Sequence, residues 1–182
     1  EFEGSRLHFW RVAGSDTLRG NSFSITSDDS KRFMTVQLSS DLPLAVYQQV
    51  GADDRPTMDF ISGDLRPTIP HGYVTEELKT LPHGVDYTLA LTVKVRGGSV
   101  RITPYVTDLN SESSTNLQTV NYVESSGPIT LSKTVDWRRH TFKFNTTHSL
   151  YEIGFRFDRT DDDDDALFDI TDISLVVGSF DN

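Results

Sequence analysis

The chain has 182 residues, a formal net charge of -10 at pH 7, 36% hydrophobic and 10% aromatic residues, and no cysteine. That length suits a single domain, residues 1–182, with a core at the lean end. The acidic balance argues against nucleic-acid phosphates and anionic membrane surfaces as partners, since both call for Lys and Arg, and the missing cysteines exclude thiol catalysis, cysteinyl zinc and disulfides.

No apolar stretch approaches the roughly 20 residues of a membrane helix, so membrane insertion is not expected. The chain starts at Glu1, which points to a processed or partial product. From there the pattern is period two almost throughout. "KRFMTVQLS" sets Met34, Val36 and Leu38 against Phe33, Thr35 and Gln37, as in a strand whose faces differ. Residues 54–80 are the least regular part, and "VTEELKTL" at 74–81 predicts at most a turn or two of helix, stopped by Pro82.

"VDYTLALTVKV" puts Tyr87, Leu89, Leu91, Val93 and Val95 on one face and predicts a half-buried strand. After "GG" at 97–98, "SVRITPYV" keeps Val100, Ile102 and Val106 in phase, so the two runs predict a hairpin. Pro104 lacks an N–H and predicts an edge position or a bulge there. "WRRHTFKFN" aligns His140, Phe142 and Phe144, and "LYEIGFRFD" aligns Tyr151, Ile153, Phe155 and Phe157. "LFDITDISLVV" reads with Thr171, Ile173, Leu175 and Val177 in one phase. The five aspartates at 161–165 repel one another and lack the D-x-D-x-D-G spacing of a calcium loop, so they predict a solvated hairpin connection. Short alternating strands between Gly, Pro, Asn, Asp and Ser clusters predict an all-β antiparallel sandwich or barrel.

Beyond the strands, two ends of the chain carry a family pattern. Phe2, Glu3 and Gly4 lead to Trp10; Trp137 precedes Phe142 and Phe144; the chain closes with Asp172, Ile173, Ser174 and Leu175; and "LPHGVDYTLALTVKV" lies between. This order resembles carbohydrate-binding modules of families 4 and 9 and their relatives, along nearly the whole chain as scattered short motifs. Thr171 stands where the closing strand of such modules often has a second Asp. The resemblance implies a jelly-roll β-sandwich of two antiparallel sheets and a structural calcium near the paired chain ends. It also implies a setting: a non-catalytic surface or appendage module of a phage virion, or a glycan-binding module of a secreted glycoside hydrolase. A third reading is a purely structural oligomerisation domain without ligand. Expected partners are a glycan or other virion proteins, with a homo-oligomer, a trimer in a fibre, on the virion surface or outside the cell.

The resemblance places Glu3 and Asp172 on adjacent first and last strands, where inward carboxylates would hold the calcium. The alternative is that Glu3 caps or pairs on the surface and Asp172 is exposed. For a glycan, rings facing away from the core are needed, with polar groups for the hydroxyls. Tyr105 and Tyr122 are the candidate rings, and Arg101, Thr103 and Gln118 the polar edges; half-buried packing or subunit contact is the alternative. Catalysis finds no support, since His8, His71, His83, His140 and His148 show no H-E-x-x-H spacing and no G-x-S-x-G elbow occurs.

Overall fold

The computed structural model describes residues 2–3, 6–7, 11–13, 20–27, 31–49, 58–59, 66–67, 84–109, 118–122, 127–145, 150–161 and 164–178. The expected helical turn at 74–81, Trp10 and four of the five histidines lie outside them. The strands are β1 (Phe2–Glu3), β2 (Arg6–Leu7), β3 (Arg11–Ala13), β4 (Asn21–Ser27), β5 (Arg32–Leu38), β6 (Leu44–Gln49), β7 (Met58–Asp59) and β8 (Arg66–Pro67). They continue with β9 (Asp86–Gly97), β10 (Ser99–Leu109), β11 (Gln118–Tyr122), β12 (Ile129–Ser132), β13 (Arg138–Asn145), β14 (Leu150–Arg159) and β15 (Ala166–Val177). Every pairing is antiparallel. Among the described residues no helix is long and apolar enough to cross a membrane.

Two sheets form the body. One has six strands in the order β11-β10-β14-β6-β3, with β12 also paired to β10; the other has five, β13-β9-β15-β5-β4. The fold is therefore a sandwich, one of the two all-β forms that the alternation predicts. Its core is the shared product of the apolar phases: Met34, Val36 and Leu38 from β5, Leu89, Leu91 and Val93 from β9, Ile153, Phe155 and Phe157 from β14 are all at most 1% exposed. Phe155 links the layers, meeting Phe142 edge-on at 5.6 Å and Phe157 at 6.4 Å.

Connectivity departs from expectation in two places. β9 and β10 do not form a hairpin, because β9 belongs to the five-stranded sheet and β10 to the six-stranded one. The glycine pair turns the chain from one layer to the other. Gly98 has a φ of 62°, and a Cβ there would stand 2.4 Å from the carbonyl oxygen of Asp165. That contact identifies the second departure. β14 and β15 also lie in different sheets, so the aspartate run is a crossover packed beside the first, not a hairpin tip. Its described members Asp161, Asp164 and Asp165 are exposed, as a charge run predicts. Asp165 is nonetheless anchored: Ser39 and then Gln37 hydrogen-bond its carboxyl and hold it below the usual carboxylate range, with Gln37 Nε2 donating at 2.8 Å.

Pro104 does sit at an irregularity. β10 pairs β12 through Ser99–Ile102 and β11 through Tyr105–Leu109, so the residue without an N–H falls in the gap where the neighbour changes.

β15 changes phase partway. Phe168 and Ile170 are fully buried on the core side, yet beyond a register shift between Thr171 and Ser174 it is Leu175 that pairs Leu89. One extra residue at that point flips every later side chain to the opposite face. Asp172 occupies the bulge with a φ of 50°, a left-handed conformation that Asp tolerates better than most residues. The single-phase reading of this strand is thus corrected: Thr171 shares the outer face with Asp169, opposite Thr92, while Ile173 and Leu175 turn inward.

The outer face of the five-stranded sheet is also better covered than a half-buried strand predicts. Thr88, Ala90 and Thr92 on β9 are 2 to 7% exposed. Their small side chains are overlaid by longer neighbours. Arg139 on β13 reaches across β9 to give Ser174 on β15 a hydrogen bond of 3.2 Å, and Thr88 donates to the carbonyl of Gly178 at 2.8 Å.

Candidate functional site

The remaining surface of interest is the outer face of the six-stranded sheet. With Val100, Ile102, Phe155 and Phe157 turned to the core, strand alternation presents Arg101, Thr103 and Tyr105 from β10 and Gly154, Arg156 and Asp158 from β14 on the other side. Register aligns them in rows: Arg101 faces Asp158, Thr103 faces Arg156, and Tyr105 faces Gly154, beyond which come Ala45 and Tyr47 of β6.

This face has two parts. Its middle is closed: Ala45, Tyr47 and Tyr105 are at most 2% exposed. Gly154 is the hinge of that packing, because a Cβ there would lie 2.8 Å from Tyr47 Cβ and 2.9 Å from the Tyr105 hydroxyl oxygen. The tyrosines close over the glycine. The expectation for Tyr105 is corrected accordingly, since a ring with no exposed surface offers no face to a sugar. Tyr122 stands directly opposite Tyr105 in the ladder, and its side chain and that of Gln118 lie outside the described residues.

Toward the β12 end the face opens into a groove of about 710 Å³, lined by Arg101 and Thr103 of β10, Arg156, Asp158 and Arg159 of β14, and the flanking Pro128 and Thr160. Arg101 and Thr103, expected as polar edges of a glycan site, are among the residues that line it. Arg156 and Asp158 were missed, although "FRFDR" carries their signal: charged residues two apart, alternating with core phenylalanines, must share the outer face. They form a rigid fork. Arg156 Nε donates to both Asp158 oxygens at 2.9 Å and Nη2 donates to Oδ1 at 2.7 Å. Arg159 is mostly buried and its Nη2 reaches Asp41 Oδ1 at 2.6 Å. The groove wall is therefore a pre-set array of donors and acceptors with one apolar flank at Pro128, able to bind a polyhydroxylated ligand.

The calcium expectation fares differently. Asp172 does not face inward; its side chain is 53% exposed and lies 3.3 Å from Lys31 Nζ. β15 is flanked by β9 and β5, while β1, with Glu3 opposite Arg6, pairs β2. An ammonium beside the carboxylate competes with a cation for it, and no cluster of three metal-ligating side chains occurs among the described residues. Among the described residues Asp172 thus stands beside a cation rather than beside further oxygen ligands, and the side chain of Glu3 lies outside them. The buried carboxylate of this strand is instead Asp169, 1% exposed, satisfied by Arg96 Nε at 2.6 Å and Thr35 Oγ1 at 2.8 Å. Beside it Arg96 lies over Phe33, which meets Trp137 edge-on. Thr171, where a second Asp was noted as usual, donates to the Arg32 carbonyl at 2.9 Å.

His140 is half-buried on the core phase of β13, and its Nε2 has no hydrogen-bond partner among the described residues. Burial, and then the charge of Arg138, pushes its pKa down from the ordinary imidazole value of 6.5. The folded state therefore binds its proton less readily than the unfolded chain, so this contribution to stability is full above about 6.5 and is lost as pH falls through the depressed folded value. We expect the melting temperature to fall between pH 7.5 and pH 5 more steeply in the natural chain than in His140→Leu. Parallel melting curves across that range would contradict this.

No family model and no curated protein sequence matches the chain. Solved structures do match it in fold. The CBM22-1 xylan-binding domain of Paenibacillus barcinonensis Xyn10C superposes with a TM-score of 0.58 at 8% identity, over 96% of this chain and 89% of that one. The CBM22-1–GH10 modules of Clostridium thermocellum endo-1,4-beta-D-xylanase 10B, complexed with xylohexaose, match with a TM-score of 0.56 at 14% identity, over 93% of this chain; the chain spans only 26% of that protein. A structure described as CBM4 structure and function matches at 0.51 and 13% identity, over 94% of this chain and 96% of that one. The two-sheet architecture is that of the carbohydrate-binding-module jelly roll.

Proposed function

We propose that this chain is a non-catalytic glycan-binding module whose ligand lies in the groove on the outer face of the six-stranded sheet. The observation that carries the reading is the Arg156–Asp158 fork, fixed at 2.7 to 2.9 Å on the floor of an open groove. A planar donor locked beside an acceptor matches adjacent sugar hydroxyls, while Thr103 and Thr160 supply further hydrogen bonds and Pro128 a surface for a ring's C–H face. The fold likeness to solved xylan-binding modules supports the same class of ligand.

A glycan array with the natural chain and with Arg156→Ala tests it. The natural chain should bind at least one oligosaccharide, and the variant should bind it about tenfold more weakly, the loss expected for a hydrogen bond to a charged group. Absence of any glycan hit would overturn the reading in favour of a structural domain. The setting follows the sequence resemblance: an adhesion module on a phage virion, or a module of a secreted hydrolase. Light scattering separates these, a trimer supporting the fibre and a monomer the hydrolase.

A further inference from the structure

We propose that the groove selects an acidic sugar, a residue bearing a carboxylate such as a uronic acid, and that Arg101 is the residue that recognises it. The inference rests on the glycan-binding reading and adds the charge of the ligand.

The chain as a whole carries a formal charge of -10, yet among the described residues the groove is lined by Arg101, Arg156 and Arg159 against one acid, Asp158. Those four sum to +2, or +1 when Asp41, bonded to Arg159 at 2.6 Å, is counted with them. A cationic concavity in an acidic protein is not explained by the bulk composition. The three arginines also differ in what they are committed to. Arg156 is held by Asp158 through both of that residue's oxygens, and Arg159 is held by Asp41.

Arg101 is exposed and makes no hydrogen bond or ion pair among the described residues. In register it stands between Asp158 on β14 and Thr130 on β12, on the face that the groove opens from. Its guanidinium offers two parallel N–H donors at the spacing of a carboxylate, whereas a neutral sugar could use them only as single hydrogen bonds. Asp158, with its oxygens already accepting from Arg156, leaves the local balance positive rather than repelling an anion outright. The remaining acids of the chain oppose the approach of an anion at long range, so the selectivity is a contact effect, screened only in part by salt.

The test compares matched oligosaccharides that differ in the carboxylate alone: tetragalacturonate against its fully methyl-esterified form, and glucuronate-substituted against unsubstituted xylo-oligosaccharides. Binding is measured by calorimetry at 50 and 300 mM NaCl for the natural chain and for Arg101→Ala, whose exposed position leaves the fold intact and whose melting temperature checks this. The natural chain should prefer the acidic member of a pair by about fivefold, the upper end for an exposed ion pair. Arg101→Ala should bind both members alike. Equal affinity of the natural chain for acidic and neutral members overturns the acid selectivity and leaves the glycan-binding reading standing. A preference that survives Arg101→Ala overturns the role of Arg101. Failure to bind either member of both pairs overturns the inference, and the glycan array then shows whether the parent reading falls with it.

Discussion

Gly154→Ala is expected to destabilise the protein by roughly 2–3 kcal/mol, and Gly154→Val by more, because small-to-large changes in a packed site force backbone shifts. The new Cβ would stand 2.6 Å from the Val46 carbonyl oxygen, 2.8 Å from Tyr47 Cβ and 2.9 Å from the Tyr105 hydroxyl oxygen. A hydroxyl can swing aside. The carbonyl belongs to β6, paired with β14 from Glu152–Gln49 to Phe157–Leu44, and cannot retreat without breaking that ladder. For a chain of this size the loss corresponds to a fall of about 5–10 °C in melting temperature. Tyr105→Phe in the alanine background should recover little of it, since the clash with the carbonyl remains. A Gly154→Ala protein melting with the natural chain would show that the tyrosines and the sheet adjust freely, and the closed middle of the face would lose its explanation.

Arg96→Ala should cost about 3 kcal/mol, the lower end for stranding a buried charge. Asp169 is 1% exposed, and two described partners hold its carboxylate, Arg96 Nε at 2.6 Å and Thr35 Oγ1 at 2.8 Å. Removing the guanidinium leaves one hydroxyl for a full negative charge in the sheet. The cost stays at the lower end because the Arg96 side chain is 42% exposed, so water can reach the vacated position. The same substitution also uncovers Phe33, over whose ring Arg96 lies at 5.8 Å. Asp169→Asn added to Arg96→Ala should restore part of the loss, as a neutral amide needs no counter-charge and can still accept from Thr35. Urea unfolding of the two variants checks this, and a double variant less stable than Arg96→Ala would contradict it.

The strands were legible wherever apolar residues alternate without interruption. Tyr87 to Val95, Phe142 with Phe144, and Ile153 to Phe157 do so, and those phases face the core, although on β9 the other phase is covered as well. What alternation cannot encode is the partner. "GG" at 97–98 reads alike whether the chain doubles back beside itself or crosses to the opposite layer, and the strand pairing, with β9 and β10 in different sheets, distinguishes them. The phase of β15 was obscured by its bulge. Phe168 and Ile170 follow one parity, Leu175 the other, and a reading that assumes a single parity through Asp172 must misplace one set.

The candidate site divides in the same way. Arg101 and Thr103 were legible as polar residues on the non-core phase of a strand. Tyr105 shares that phase, yet its burial depends on Gly154 and Tyr47 from strands 49 and 58 residues away in the chain, taking the differences 154-105 and 105-47. Asp172 reads as a ligand through the family resemblance, which sets it on the closing strand beside Glu3. Alternation alone does not show that it sits at a bulge with a φ of 50°, a conformation that Asp tolerates.

The central claim, a glycan in the open groove of the six-stranded sheet, is tested most directly by an NMR titration with the oligosaccharide that a glycan array ranks first. The predicted result is amide shift changes that saturate at Arg101, Thr103, Arg156 and Thr160 while Asp169 and Thr171, on the opposite sheet, stay in place. Shift changes centred on Asp169 and Thr171, or an array without a single hit, would contradict it.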